Sequence, residues 1–135
     1  MARHLSVADV LVLHVEAMML DTSRPAPLRG GGEALLESAV MKPRMAAHFE
    51  AASLTRQAAL LAVGILQKQP FVDGNKRTDY IAALVFLDVN GLVLDECDEA
   101  FAEELIRVAE RTQTLDAALY AFESWLSGHV HPRVE

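Results

Sequence analysis

Residues 53–91 read SLTRQAALLAVGILQKQPFVDGNKRTDYIAALVFLDVNG. Two strongly apolar helical stretches flank one polar turn. Ser53 is a helix-capping residue, and the run from 54 to 67 carries Leu60, Leu61, Val63, Gly64, Ile65 and Leu66 with almost no polar face. A helix apolar nearly all round belongs at the centre of a domain. Residues 75–89 form a second buried helix through YIAALVFLDV, stopped by Asn90 and Gly91 as a left-handed cap. The turn at 69–78, QPFVDGNKRT, is therefore predicted at the junction of two central helices.

The chemistry of that turn is that of a phosphate site. Gly74 lets the backbone aim N–H groups at an anion, the helix starting near Asn75 adds a positive dipole end, and Lys76 and Arg77 supply full charges. Asp73 would repel phosphate unless a divalent cation sits between them.

Working outward, SVAD at 6–9 is a capping-box pattern that opens a first helix ending before Asp21, with Val7, Val10, Leu11, His14, Val15, Met18 and Met19 on its apolar face. His14 on that face reads as a hydrogen-bonded core histidine, and Met18, Met19, Met41 and Met45 as core or groove fillers. DTSRPAPLRGGG, with two prolines and three glycines in twelve residues, reads as an exposed loop. EALLESAVM, residues 33–41, is a short helix closed by Pro43, and residues 44–52 carry no decisive pattern. Asp95 or Asp98 starts a helix running to about Arg111. Thr114 caps the last helix, residues 115–126. LVLD at 92–95 is the one strand-like run, too short and isolated to make a sheet, and the tail GHVHPRVE reads as frayed. The expectation is an all-α, compact single-domain bundle of about six helices spanning residues 1–135, with no internal repeat.

The turn resembles the Fic/Doc family signature, HPFxxGNxR in Fic proteins and HxFxDxNKR in the Doc branch. Phe71, Asp73, Asn75, Lys76 and Arg77 match the Doc form, Pro70 and Gly74 match the Fic form, and Gln69 stands where both have histidine. His14, LRGGG, ALLESAV and the turn follow in the order and spacing of a Doc-like chain, so the resemblance covers roughly residues 5–95.

The resemblance implies an ATP site in which Asp73 binds Mg²⁺, Gly74 forms the anion-binding turn, Asn75, Lys76 and Arg77 hold phosphate oxygens, and Phe71 anchors the loop. Residues 24–32, with Leu28, Arg29, Gly30 and Gly31, match in position a flap that docks the target peptide by strand pairing. The family histidine is the general base that takes the proton of the attacking hydroxyl; glutamine has no group titrating near neutral pH and cannot do so. Small size and the DGNKR spelling resemble Doc. A toxin that phosphorylates Ser or Thr of a target, elongation factor Tu by resemblance, is thus the first expectation. Transfer of AMP, or nucleotide or peptide binding without catalysis, are the alternatives. The inhibitory pattern [S/T]xxxE[G/N] of many Fic proteins does not occur. A separate antitoxin is therefore expected, and the resemblance to Doc implies one whose C-terminal segment folds on binding.

Composition agrees with this reading. A hydrophobic fraction of 52% with 23% charged residues supports a folded core. A net charge of −7 argues against direct nucleic-acid binding. Residues 58–66 are far too short to span a membrane, no signal peptide is read at the start, and Cys97 is the only cysteine, which together point to the cytoplasm.

Overall fold

The computed structural model describes residues 2–19, 27–95, 98–111 and 113–134, residue 98 by its backbone alone. Positions 24–26 of the candidate flap and Cys97 lie outside the described residues. Six helices are seen among them: α1 (Val7–Ala17), α2 (Gly32–Glu50), α3 (Leu54–Lys68), α4 (Asn75–Val89), α5 (Asp98–Ala109) and α6 (Leu115–Ser127). The all-α expectation holds.

Three of these helices start on caps legible in the chain. Ser6 Oγ accepts from the Asp9 N–H at 3.1 Å while Asp9 Oδ2 accepts from the Ser6 N–H at 2.8 Å, a complete capping box. Ser53 Oγ accepts from the Arg56 N–H, and Thr114 Oγ1 from the Ala117 N–H. Helix α3 is the centre: its residues from Gln57 to Leu66 are buried apart from the half-buried Leu60. Helices α2 and α4 pack on it from two sides. Against α2 the contact is tight, since a Cβ placed on Gly64 would lie 3.3 Å from the Ala39 Cβ. Helices α5 and α6 close the other end with an aromatic cluster, in which Phe101 meets Tyr80, Phe122 and Trp125 edge to face.

Two expectations are corrected. Pro43 does not end a helix; it lies buried inside α2, which runs on to Glu50. A proline in a helix interior costs about 3 kcal/mol locally. Leu36, Ala39, Val40, Pro43 and Ala46 nevertheless form one continuous buried stripe, so packing against α3 outweighs the local cost. The tail also is ordered. Strand β2 (Val130–Pro132) pairs antiparallel with β1 (Leu92–Leu94), in register Leu92↔Pro132, Val93↔His131 and Leu94↔Val130. Arg133 fastens the pair, its N–H donating to Gly91 O at 2.9 Å and its guanidinium meeting Asp88 Oδ1 at 3.0 Å. Strands of three residues show no alternation, and their partners are far apart in the chain.

The methionines are likewise not all fillers. Met41 and Met45 on the outer side of α2 are 44% and 50% exposed, and Met19 is 91% exposed.

Candidate functional site

The polar turn between α3 and α4 opens into a cleft of about 680 Å³. Gln69, Asp73, Gly74, Asn75, Lys76 and Arg77 line it. Leu66, Tyr80, Ala102, Met18 and Val72 complete its lining. A pocket of this size, apolar with a few convergent polar groups, fits an organic ligand with a charged end.

The turn begins with a helix stop. Gln69 is the C-cap of α3 in the left-handed region, φ 46° and ψ 60°, and its N–H bonds to Ile65 O at 2.9 Å. For a side chain other than glycine this conformation costs roughly 1 kcal/mol. Arg29 holds the strained end: its Nη2 donates to Lys68 O at 2.8 Å and its Nε to Gln69 O. Its guanidinium thus caps the α3 carbonyls, a use the sequence did not suggest for a residue assigned to target docking.

Residues 27–29 lie alongside residues 70–72 as a short antiparallel bridge centred on Leu28 and Phe71. The Arg29 N–H donates to Pro70 O and the Val72 N–H to Pro27 O, both at 3.0 Å. In such a pairing the N–H and C=O of Leu28 point away from the turn. Gly32 must be glycine here, because a Cβ on it would lie 2.3 Å from Pro70 O.

Phe71 is buried, and both its backbone polar groups are taken by one side chain. Asn75 Oδ1 accepts from the Phe71 N–H and Asn75 Nδ2 donates to Phe71 O, each at 3.0 Å. The Asn75 amide is therefore engaged within the turn, and its backbone N–H is the group that faces outward with the first turn of α4. The N–H groups of residues 75–77 have no intrahelical acceptor by position, so this end of α4 is the electropositive part of the cleft. Gly74 sits before them at φ 80°, and a Cβ there would meet the Met18 sulfur at 2.4 Å. Asp73 is exposed, with Oδ1 accepting from the Gly74 N–H at 2.8 Å. Lys76 and Arg77 are exposed, and Arg77 Nη1 makes one long bond, 3.4 Å, to Ala17 O.

Beneath the turn lies His14, fully buried. Its ring stacks on Phe71 with centroids 3.7 Å apart and planes 6° apart, and Nδ1 is 2.7 Å from Thr78 Oγ1. Burial lowers its pKa, and the Asp73 carboxylate partly restores it. Nε2 has no partner among the described residues.

Asp79, one residue beyond the turn, carries chemistry that sequence reasoning missed. It is fully buried, neither carboxyl oxygen meets a partner among the described residues, and burial pushes its pKa up to about 8. The adjacent Tyr80 N–H and the charge of Lys76 pull the other way without reversing the shift. Its signal was a lone acid in register with Ala82, Ala83 and Phe86 on the buried side of α4.

No cluster of three His, Cys, Asp or Glu side chains suited to a metal occurs among the described residues. Among the described residues that line the cleft, Asp73 is the one carboxylate that could hold a cation. That suits Mg²⁺, which takes one or two carboxylates and completes its shell with water and substrate phosphates.

The description that matches this chain is the Fic/DOC family, over residues 4–87, which takes in α1, the strap at 27–29 and the whole turn. Toxin Doc of Mycolicibacterium smegmatis is 38% identical over 87 residues, 62% of this chain and 67% of that protein. With the turn, the strap and the helical frame in place, the chain belongs to the Fic/DOC family.

Proposed function

We propose that this protein is a Doc-like toxin of a toxin–antitoxin pair, working in the cytoplasm, which transfers phosphate from ATP to a Ser or Thr hydroxyl of a target protein. In its present form it is strongly impaired by Gln69. The observation that carries the reading is the convergence on one cleft of the α4 N-terminus, Asp73, Lys76 and Arg77, with Gln69 among the lining residues.

Phosphates of ATP would rest on the N–H groups of residues 75–77, with Lys76 and Arg77 supplying charge; the planar fork of Arg77 suits two oxygens at once. Asp73 would hold Mg²⁺, which when bound neutralises charge on the phosphates. Leu66, Tyr80 and Ala102 would cover the less polar part of the ligand. A target segment would extend the strap along the outward N–H and C=O of Leu28. Gln69 can orient the attacking hydroxyl but cannot take its proton, and a missing general base typically removes about 10²- to 10⁴-fold of rate. No histidine lines the cleft to replace it.

Elongation factor Tu is the target that the resemblance to Doc implies, and an antitoxin with a C-terminal segment that folds on binding is the implied restraint. Transfer of AMP is the second reading, favoured by Pro70 and Gly74, which follow the Fic spelling. The test is labelling of target by the Gln69→His form with ATP and Mg²⁺. Label from the γ position, absent with Gln69, supports the proposal. Label only from the α position turns it into AMP transfer. Binding of ATP with no labelling by either form leaves a non-catalytic module, and absence of ATP binding in both overturns the nucleotide site.

A further inference from the structure

Three α1 positions on one helical face, His14, Ala17 and Met18, meet the polar turn. His14 touches Phe71 and Thr78, the Ala17 carbonyl takes Arg77, and the Met18 sulfur lies over Gly74. Spacings of three and four residues put these groups on the same side of the last turn of α1. The strap at 27–29 supports the turn through its backbone and the Arg29 guanidinium, whereas α1 reaches it through side chains and one carbonyl.

Among these contacts the one at His14 differs in kind, because a single imidazole spans both ends of the turn. Its face covers Phe71 at the entry, and its Nδ1 bonds Thr78 at the start of the regular helix. Everything that lines the phosphate side, Asp73 to Arg77, lies between those two points. With the proton on Nδ1 the imidazole donates to Thr78 Oγ1 and leaves only a bare Nε2 acceptor unpaired, the less unfavourable of the two tautomers in a buried site. A planar ring stacked at 3.7 Å and bonded at 2.7 Å has little freedom to shift, so it fixes the distance between the ends it joins.

We propose that His14 is a positioning residue for the phosphate-binding turn: by clasping Phe71 and Thr78 together it sets the direction of the Asn75, Lys76 and Arg77 N–H groups toward the cleft. Its contribution to ligand binding rests on the nucleotide-site reading above, but its contribution to the order of the turn does not.

The experiment compares Thr78→Val, which keeps shape and removes the hydroxyl, with Thr78→Ser, which restores it, and with His14→Phe, which keeps the stack and removes the nitrogens. Amide hydrogen exchange is followed across the chain, and the Kd for ATP with Mg²⁺ is measured on each form. Thr78→Val is expected to speed exchange at the bonded amides of Phe71, Val72 and Thr78 about tenfold, the equilibrium effect of losing one buried hydrogen bond, with α6 unchanged. It should raise the Kd by a similar factor, Thr78→Ser should recover both, and His14→Phe should match Thr78→Val. Combining His14→Phe with Thr78→Val should add nothing further. Exchange that quickens equally in α3, α6 and the turn would reduce His14 to a general packing role and overturn the proposal. So would unchanged exchange at the turn. If the unaltered protein does not bind ATP, the function proposed above fails, while the exchange pattern still decides the role of His14.

Discussion

The side-chain amide of Asn75 occupies both backbone hydrogen-bonding groups of Phe71, donor to acceptor and acceptor to donor, at 3.0 Å each. It does for this residue what a neighbouring strand would do, on the side of Phe71 opposite the Leu28 bridge. The family asparagine at this position is therefore, in this chain, a structural part of the turn.

Asn75→Asp keeps the acceptor for the Phe71 N–H but turns an oxygen toward the Phe71 carbonyl. We expect a loss of about 1–3 kcal/mol, the range for leaving a buried polar group unsatisfied, and Asn75→Ala should lose a similar amount. Urea denaturation at neutral pH measures it. A loss below ~0.5 kcal/mol would mean that water replaces the amide readily.

Two glycines separate steric demand from backbone strain. Gly32→Ala places a methyl 2.3 Å from the Pro70 carbonyl oxygen, so the strap must part from the turn. Gly91→Ala meets nothing within 4 Å and bears only its positive φ of 81°. We expect Gly91→Ala to cost roughly 1 kcal/mol and Gly32→Ala clearly more, about 2–3 kcal/mol. Denaturation midpoints should fall in that order, and Gly91→Ala proving the more costly would overturn it.

Asp79 makes stability depend on pH in the direction opposite to an ordinary carboxylate. Folded, it keeps its proton to about pH 8; unfolded, it gives the proton up near its ordinary value of 3.8. The unfolded chain thus binds fewer protons across that interval, so stability is full below about pH 4 and falls as pH rises toward 8. Asp79→Asn removes the titration. The stability difference between wild type and this variant should grow with pH by several kcal/mol at most, and a constant difference would show that Asp79 is ionised in the fold.

His14 acts on the acid side. Its folded pKa is lowered, so the unfolded chain takes a proton first, and stability present above the ordinary imidazole value of 6.5 is lost as pH falls below it. The neighbouring Asp73 carboxylate limits the loss. His14→Phe should flatten the stability profile between about pH 6.5 and 5, as followed by urea denaturation. A profile as steep as wild type would place the acid sensitivity elsewhere.

Local signals in the chain were enough for most of the helices. Ser6, Ser53 and Thr114 start helices because their side chains answer N–H groups only three residues away, and Gly91 ends α4 because a left-handed residue is a local requirement. The run from Gln57 to Leu66 announced a central helix because apolar residues on every face leave it no solvated side. The passage of α2 through Pro43 was not legible, since the compensating packing belongs to α3. Nor was the pairing of residues 92–94 with 130–132, which joins distant segments through backbone groups that carry no side-chain signature.

By itself the sequence determined that this protein is helical, that a glycine-bearing basic turn joins its two central helices, and that the position of the family histidine holds an amide. These follow from periodicity, caps and residue chemistry, all short-range properties. Only the tertiary structure decided that Asn75 bonds Phe71, that Arg29 caps α3, that His14 clasps the turn and that Asp79 is buried. Each depends on which side chains the packing of α1, α2 and α3 brings within hydrogen-bond distance or shuts away from water, and residue order does not specify those distances.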